Sequence, residues 1–274
     1  MTDLADALAV AATWPAEHAA TAVVAADGRT LATYGDQDRR YPLASVTKPL
    51  AAYAILSAVE EGALELDAPA GPEGSTVRHL LAHTAGYDFN SRTTVAQPGA
   101  RRIYSNTDFD ELGELIESEA GMPFGDYLRA AVLEPLGMRD SALEGSPAAD
   151  AVSTAADLAR FAAELQSPTL LAPATVEAAT TVQFPGLRGV LPGFGSQEDN
   201  QWGLGFEIRA NKSPHWTGAN NSPATYGHFG QSGTFLWVDP EAGTALVALT
   251  DRNFGPWAAE AWPAYSDGVL AAAR

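Results

Sequence analysis

Ser45-Val46-Thr47-Lys48 decides how this chain is read: it contains one of only two lysines in 274 residues and stands at the head of a segment, Ser45 through Glu61, that reads as a long buried helix. On a helix, residues three apart share a face, so the Ser45 hydroxyl and the Lys48 amine come within hydrogen-bonding reach. A serine hydroxyl is a poor nucleophile until a neighbouring base takes its proton, and a partly desolvated lysine can be that base. Pro49 is tolerated because it lies in the first turn, and Gly62 supplies the C-cap. A bland alternative, an N-capping serine beside a solvated lysine, fits the same four residues.

Two further clusters favour the chemical reading. Downstream lie Tyr104-Ser105-Asn106 and Tyr226-Gly227-His228-Phe229-Gly230-Gln231-Ser232-Gly233-Thr234. In that order and at those intervals the three segments resemble the S-x-x-K, Y-x-N and K-T-G or H-x-G motifs of the serine β-lactamase and penicillin-binding-protein superfamily. Tyr104 points to the class C β-lactamase-like branch, with its esterases and D-amino-acid peptidases. Leu80-Leu81-Ala82-His83-Thr84-Ala85-Gly86 is similar to that branch's L-L-x-H-T-x-G segment, and Leu236-Trp237-Val238-Asp239-Pro240 to the strand after H-x-G. The resemblance runs from about residue 20 to residue 255.

The pattern along the chain predicts an α/β (α+β) architecture. A short helix over residues 3–12 precedes strands at Thr21–Ala25 and Thr30–Tyr34, joined by a turn at Asp27-Gly28. From about Pro69 to Asn200 the pattern is helical and loop-rich, with helices at 108–120, 124–132 and 153–165; Ser153-Thr154-Ala155-Ala156-Asp157 has a capping side chain and an early acid. The glycine-rich stretch Phe184 to Asn200 reads as a mobile loop. Strands return at 204–209, 233–238 and 244–249 before a last helix over 257–273. One domain, 1–274, is therefore expected, with 1–68 and 201–274 forming an α/β subdomain and 69–200 an inserted helical one. The resemblance implies an antiparallel sheet flanked by helices, with the site in the cleft between the two parts.

The resemblance also implies roles. Ser45 attacks a carbonyl to form an acyl-enzyme, with Lys48 and Tyr104 as coupled base candidates; Tyr104, ordinarily titrating near pH 10, needs adjacent positive charge to act near neutrality. Asn106 bonds Lys48 or the acyl amide, and the N–H groups of Ser45 and Gln231 form an oxyanion hole. His228 donates to Tyr104 or to a substrate oxygen and makes activity pH-sensitive between about pH 5 and 8. Gly230 lets substrate approach the strand. His83 is expected to pack, because the family's H-T segment is structural and no G-x-S-x-G elbow exists here. His18, His79 and His215 lack metal spacing, and no metal or cofactor is expected.

Composition narrows the partners. Net charge is −18, from 34 acidic against 16 basic residues, which disfavours nucleic acid and anionic lipid. No apolar run is long enough to span a membrane, and no basic segment precedes an apolar one at Met1-Thr2-Asp3-Leu4, so a cytoplasmic location is expected. Absent cysteines exclude disulfides and thiol chemistry. Phe229 stands where β-lactamases place threonine, and His228 replaces a fixed cation, both of which weaken carboxylate binding. The expected substrate is thus a small-molecule ester with a short or medium acyl group. β-Lactam or D-amino-acid amide hydrolysis at the same site is the alternative, and a binding protein that keeps the fold without turnover is the third. Phe229, Trp202, Trp216 and Phe206 are candidates for an apolar cleft or for core. Oligomeric state stays open.

Overall fold

The turn at Asp27-Gly28 forms, with Gly28 at φ +80°, and joins strands β1 (Ala19–Ala25) and β2 (Thr30–Tyr34). A computed structural model describes residues 3–273; Met1, Thr2 and Arg274, and with them the first residues of the N-terminal reading, lie outside the described part. The late strands are β3 (Glu207–Ile208), β4 (Tyr226–Gly230), β5 (Thr234–Asp239) and β6 (Thr244–Thr250). They join the first two in one six-stranded sheet of order β3-β4-β5-β6-β1-β2. β1 and β6 pair antiparallel from Ala19 opposite Thr250 to Ala25 opposite Thr244, so the two ends of the chain meet as expected.

Both faces of this sheet are covered, which is why β1, β5 and β6 read as near-continuous apolar runs. Alternate residues serve opposite faces. Ala22, Val24, Leu236 and Val247 join the core that contains helix α2 (Thr47–Glu60), while Val23, Trp237 and Leu246 join a second core with Trp262 and Val269. The second core is roofed by α1 (Leu4–Ala9) and the last helix, α5 (Pro256–Ala273). α2 is buried from Thr47 to Ala58 without a break, as befits a helix apolar all round. Helix α3 (Asn106–Ala120) lays Phe109, Leu112 and Ile116 against the α2 core and stops at Gly121, whose φ of +66° is the left-handed C-cap.

Four details differ from expectation. α2 starts at Thr47, and Ser45 lies in a preceding 3₁₀ turn, Ala44–Val46. The stretch 184–200 is not an open loop: Gly189–Leu191 and Gly195–Gln197 pair as a hairpin, turned through Gly193 at φ +77°. Strand character in 204–209 shrinks to Glu207–Ile208, because Gly205, at φ +88°, presses its bare Cα against Ala52 of α2. Helix α4 (Ala155–Gln166), capped by Thr154 Oγ1 accepting from the Asp157 N–H at 3.1 Å, packs on β1 and β6, so part of the 69–200 stretch belongs to the sheet's own layer. Among the described residues, no helix is long and apolar enough to cross a membrane.

Candidate active site

Ser45 is held where three motifs converge. Ala44 before it takes φ +45°, a strained position for a residue with a side chain. The turn is pinned from behind: Ser232 Oγ donates to Pro42 O at 2.7 Å and Thr234 Oγ1 to Leu43 O at 2.8 Å. A Cβ on Gly230 would lie 2.2 Å from Leu43 O. Gly230 therefore lets β4 pass against the turn that carries Ser45.

Lys48 is fully buried, and its Nζ has three partners: Asn106 Oδ1 at 2.7 Å, Ala148 O at 2.9 Å and Ser45 Oγ at 3.3 Å. Burial pulls its pKa down from 10.5 to about 7. Asn106 makes the first of its two expected contacts. One N–H of its amide nitrogen donates to Asn90 Oδ1 at 2.9 Å, which fixes the oxygen toward Lys48.

Tyr104 O–H donates to Ser45 Oγ at 2.7 Å. Its pKa is raised rather than lowered: burial pushes it well above 10, and the bond to Ser45 offsets only part of that. The Lys48 cation sits 4.6 Å over the Tyr104 ring, where it meets the π face and not the oxygen. Tyr104 is thus a neutral phenol and a donor, which corrects the expectation of a tyrosinate base.

His228 is buried and lines the same cavity. Its Nδ1 lies 2.7 Å from Phe229 O, and a carbonyl only accepts, so Nδ1 carries the proton. Burial, helped by the Lys48 charge, lowers its pKa to about 3. The ring is therefore neutral across the physiological range and Nε2, which has no hydrogen-bond partner among the described residues, is an acceptor. The expected donor role and the titration between pH 5 and 8 are both corrected; Lys48 takes over that pH window.

His83, expected to pack, does so with its ring 4.7 Å from Tyr104 and 4.8 Å from Trp202. It also meets Asp108, a residue the sequence reading did not single out, with Nδ1 2.8 Å from Oδ2. The Ser105 N–H donates to the same Nδ1 at 3.3 Å, which marks that nitrogen as an acceptor. The proton between them therefore sits on Asp108, whose pKa burial raises well above the carboxylate range while that of His83 falls well below 6.5. An acid two residues after Asn106, beside the apolar Phe109, was the available signal.

These groups open on a cavity of about 230 Å³ lined by Ser45, Phe89, Tyr104, Leu191, Pro192, Trp202, Glu207, Trp216, His228, Phe229 and Gln231. Three of the four candidate cleft aromatics lie in this lining; Phe206 instead packs on Tyr226 in the core, ring centroids 5.6 Å apart. Phe89, Leu191 and Pro192 reach the site from loops and a hairpin distant in sequence. His79 stacks on Phe184, and His18 bonds Asp251 at 2.7 Å near Glu17 on the surface, away from this lining.

A nucleophile candidate at a helix head, a buried amine, a tyrosine and a strand histidine, set between a helix-flanked antiparallel sheet and a helical layer, define a hydrolase of the β-lactamase fold. The chain belongs to the β-lactamase family, whose model matches residues 15–270. It is 57% identical to a β-lactamase from Mycobacterium bovis of known crystal structure, with a TM-score of 0.96 over 97% of this chain and 99% of that one. The esterase EstB of Burkholderia gladioli is 33% identical over 151 residues, 38% of each chain. A putative D-alanyl-D-alanine carboxypeptidase of Salmonella paratyphi B is 28% identical over 204 residues, 58% of this chain and 47% of its own. The chain thus spans less than half the length of these two curated relatives.

Proposed function

We propose that the protein is a serine hydrolase that forms an acyl-enzyme on Ser45 and acts as an esterase on short or medium acyl esters. The supporting observation is that Lys48 Nζ and Tyr104 OH converge on one hydroxyl beside a cavity whose lining, among the described residues, holds no lysine or arginine.

A neutral amine has two N–H groups and one lone pair. Asn106 Oδ1 and Ala148 O accept the two N–H groups, and the remaining position faces Ser45, whose O–H donates to the lone pair. Transfer of that proton to Lys48 leaves an alkoxide already bonded by the Tyr104 phenol. The alkoxide attacks the ester carbonyl: the Oγ–C bond forms and the carbonyl π pair moves onto oxygen. The N–H groups of Ser45 and Gln231 receive that charge, each worth roughly 3 to 4 kcal/mol. On collapse the C–O bond to the alcohol breaks and the leaving oxygen takes the proton stored on Lys48, while the Tyr104 phenol keeps donating its hydrogen bond to Ser45 Oγ. Water then repeats the sequence on the acyl-enzyme and frees the acid. His228 Nε2 accepts a hydrogen bond from that water or from a substrate hydroxyl.

The cavity suits a neutral acyl group. Penicillins and peptidoglycan stems carry a carboxylate that needs a cation, and the lining supplies none. β-Lactam hydrolysis remains the second reading because the 57% identical relative carries the name β-lactamase. The test is a fluorophosphonate probe with p-nitrophenyl butyrate beside a chromogenic cephalosporin, on wild type and Ser45→Ala. The esterase reading expects labelling and ester turnover that Ser45→Ala abolishes. Faster cephalosporin turnover selects the second reading, and neither labelling nor turnover selects a binding protein.

A further inference from the structure

Three buried titratable groups, Glu207, Lys212 and His215, take no part in the acyl transfer described above, yet Glu207 lines the catalytic cavity. Lys212, the second of the two lysines, bonds Glu207 Oε1 and also donates to Ile208 O at 2.5 Å and Gln201 O at 2.8 Å. All three of its N–H groups are used. The Thr217 N–H donates to His215 Nδ1 at 3.1 Å, so the proton of that ring is on Nε2, which donates to Glu207 Oε2 at 3.0 Å. The indole N–H of Trp216 donates to the same oxygen at 2.8 Å.

The charges cancel. Burial alone would raise the Glu207 pKa, but the Lys212 charge and the hydrogen bonds from His215 and Lys212 outweigh it and hold the carboxylate ionised. Burial lowers the pKa of His215, and the Thr217 N–H on Nδ1 leaves that ring one proton and no charge. Glu207 and Lys212 therefore form one internal ion pair, with no net charge offered to the cavity. Beside Glu207 the cavity is lined by Trp216, its ring centroid 5.9 Å from Phe229 and 5.4 Å from His215. An indole with its nitrogen fixed on a buried carboxylate, and its ring packed between a histidine and a phenylalanine, cannot swing aside to admit a longer chain.

We propose that Trp216, held by the Glu207, Lys212 and His215 cluster, is the wall that sets the acyl specificity of this site: an uncharged chain of up to about six carbons. The inference rests on the acyl-enzyme reading above and deepens it. Its length limit comes from volume. At roughly 30 Å³ per water-sized group, the 230 Å³ cavity holds about eight non-hydrogen atoms. Six acyl carbons, the carbonyl oxygen and the leaving oxygen fill it. Glu207 is here a positioning residue, acting through Trp216.

Alkylboronic acids test this, because boron takes the place of the carbonyl carbon and binds the serine oxygen whether or not esters turn over. Binding of the ethyl to octyl series is measured on wild type and Trp216→Leu, with chain-length profiles of p-nitrophenyl esters beside it. In wild type, affinity is expected to rise about fourfold per methylene to pentyl, the hexanoyl equivalent, and to fall at octyl. In Trp216→Leu the rise continues to octyl, and the octanoate to butyrate ratio of kcat/KM increases at least tenfold. That ratio is internal to each preparation, so partial unfolding does not alter it. The double variant Glu207→Gln/Lys212→Met, which removes the ion pair as a unit, is expected to loosen the same cutoff. A wild-type affinity that climbs steadily to octyl, or an unchanged ratio in Trp216→Leu, overturns the proposal. Failure of every boronic acid to bind overturns the Ser45 reading instead.

Discussion

Asn106→Asp places a carboxylate where an amide oxygen now accepts from Lys48 Nζ at 2.7 Å, and its effect on pH dependence probes the proposed base directly. Burial lowers the Lys48 pKa from 10.5 to about 7. At 1.36 kcal/mol per unit, that is a penalty of roughly 5 kcal/mol on the ammonium form. At pH 7 about half of the amine is then neutral, against about one in three thousand for a lysine in water. Wild-type kcat/KM for p-nitrophenyl butyrate, corrected for spontaneous hydrolysis, should rise about tenfold from pH 6 to 8 through one inflection near 7. An opposite charge this close favours the ammonium by about 1 to 3 units, so Asn106→Asp should move the inflection up to about pH 8 to 10. Activity at pH 7 then falls between about fivefold and several hundredfold and returns in alkali. His228→Gln should leave the inflection where it is, because His228, with a pKa of about 3, is neutral throughout. Stability follows the same group. The folded pKa lies below the unfolded one, so between pH 7 and 10.5 the unfolded chain holds a proton that the native state does not, and stability from this group rises with pH by about 1.4 kcal/mol per unit. An Asn106→Asp profile that keeps its inflection near 7, or loses activity equally at every pH, would refute Lys48 as the titrating base.

Three further outcomes are expected. Tyr104→Phe removes the donor to Ser45 Oγ and should lower kcat by about 10² to 10³ while the wild-type inflection persists; a loss under tenfold counts against a hydrogen-bond role at the nucleophile. Asp108→Asn keeps a donor on His83 Nδ1 and removes no charge if Asp108 is protonated, so the kinetic inflection should move by less than about half a unit; a drop of a unit or more would mean that Asp108 is ionised. Gly230→Ala forces a methyl against Leu43 O and should cost at least the roughly 1 to 3 kcal/mol of ordinary overpacking, read as a lower melting temperature with slower fluorophosphonate labelling.

Local geometry was open to sequence reading. The i, i+3 pairing of Ser45 with Lys48, the Thr154 cap and the turn at Gly28 each depend on residues a few positions apart, and each forms at its expected place with only the helix start displaced. The meeting of the chain ends in one sheet was legible too, because strand pattern stands at both ends and helix pattern between. Protonation was not. Tyr104, Lys48 and His228 are ordinary letters in a sequence, and their pKa values shift because α2, α3 and β4 close around them and exclude water, a property of packing that no spacing encodes. The His83 and Asp108 pair lies 25 residues apart, and its direction of proton sharing follows from a third group, the Ser105 N–H. Gly230 shows the same division: sequence supplies a residue without a side chain, but only the fold decides that Leu43 fills the space. Sequence by itself thus determined the family, the order of the elements and the nucleophile candidate with its amine. Tertiary structure decided which groups carry protons and what walls the cavity, because desolvation and volume belong to whatever the folded chain brings together.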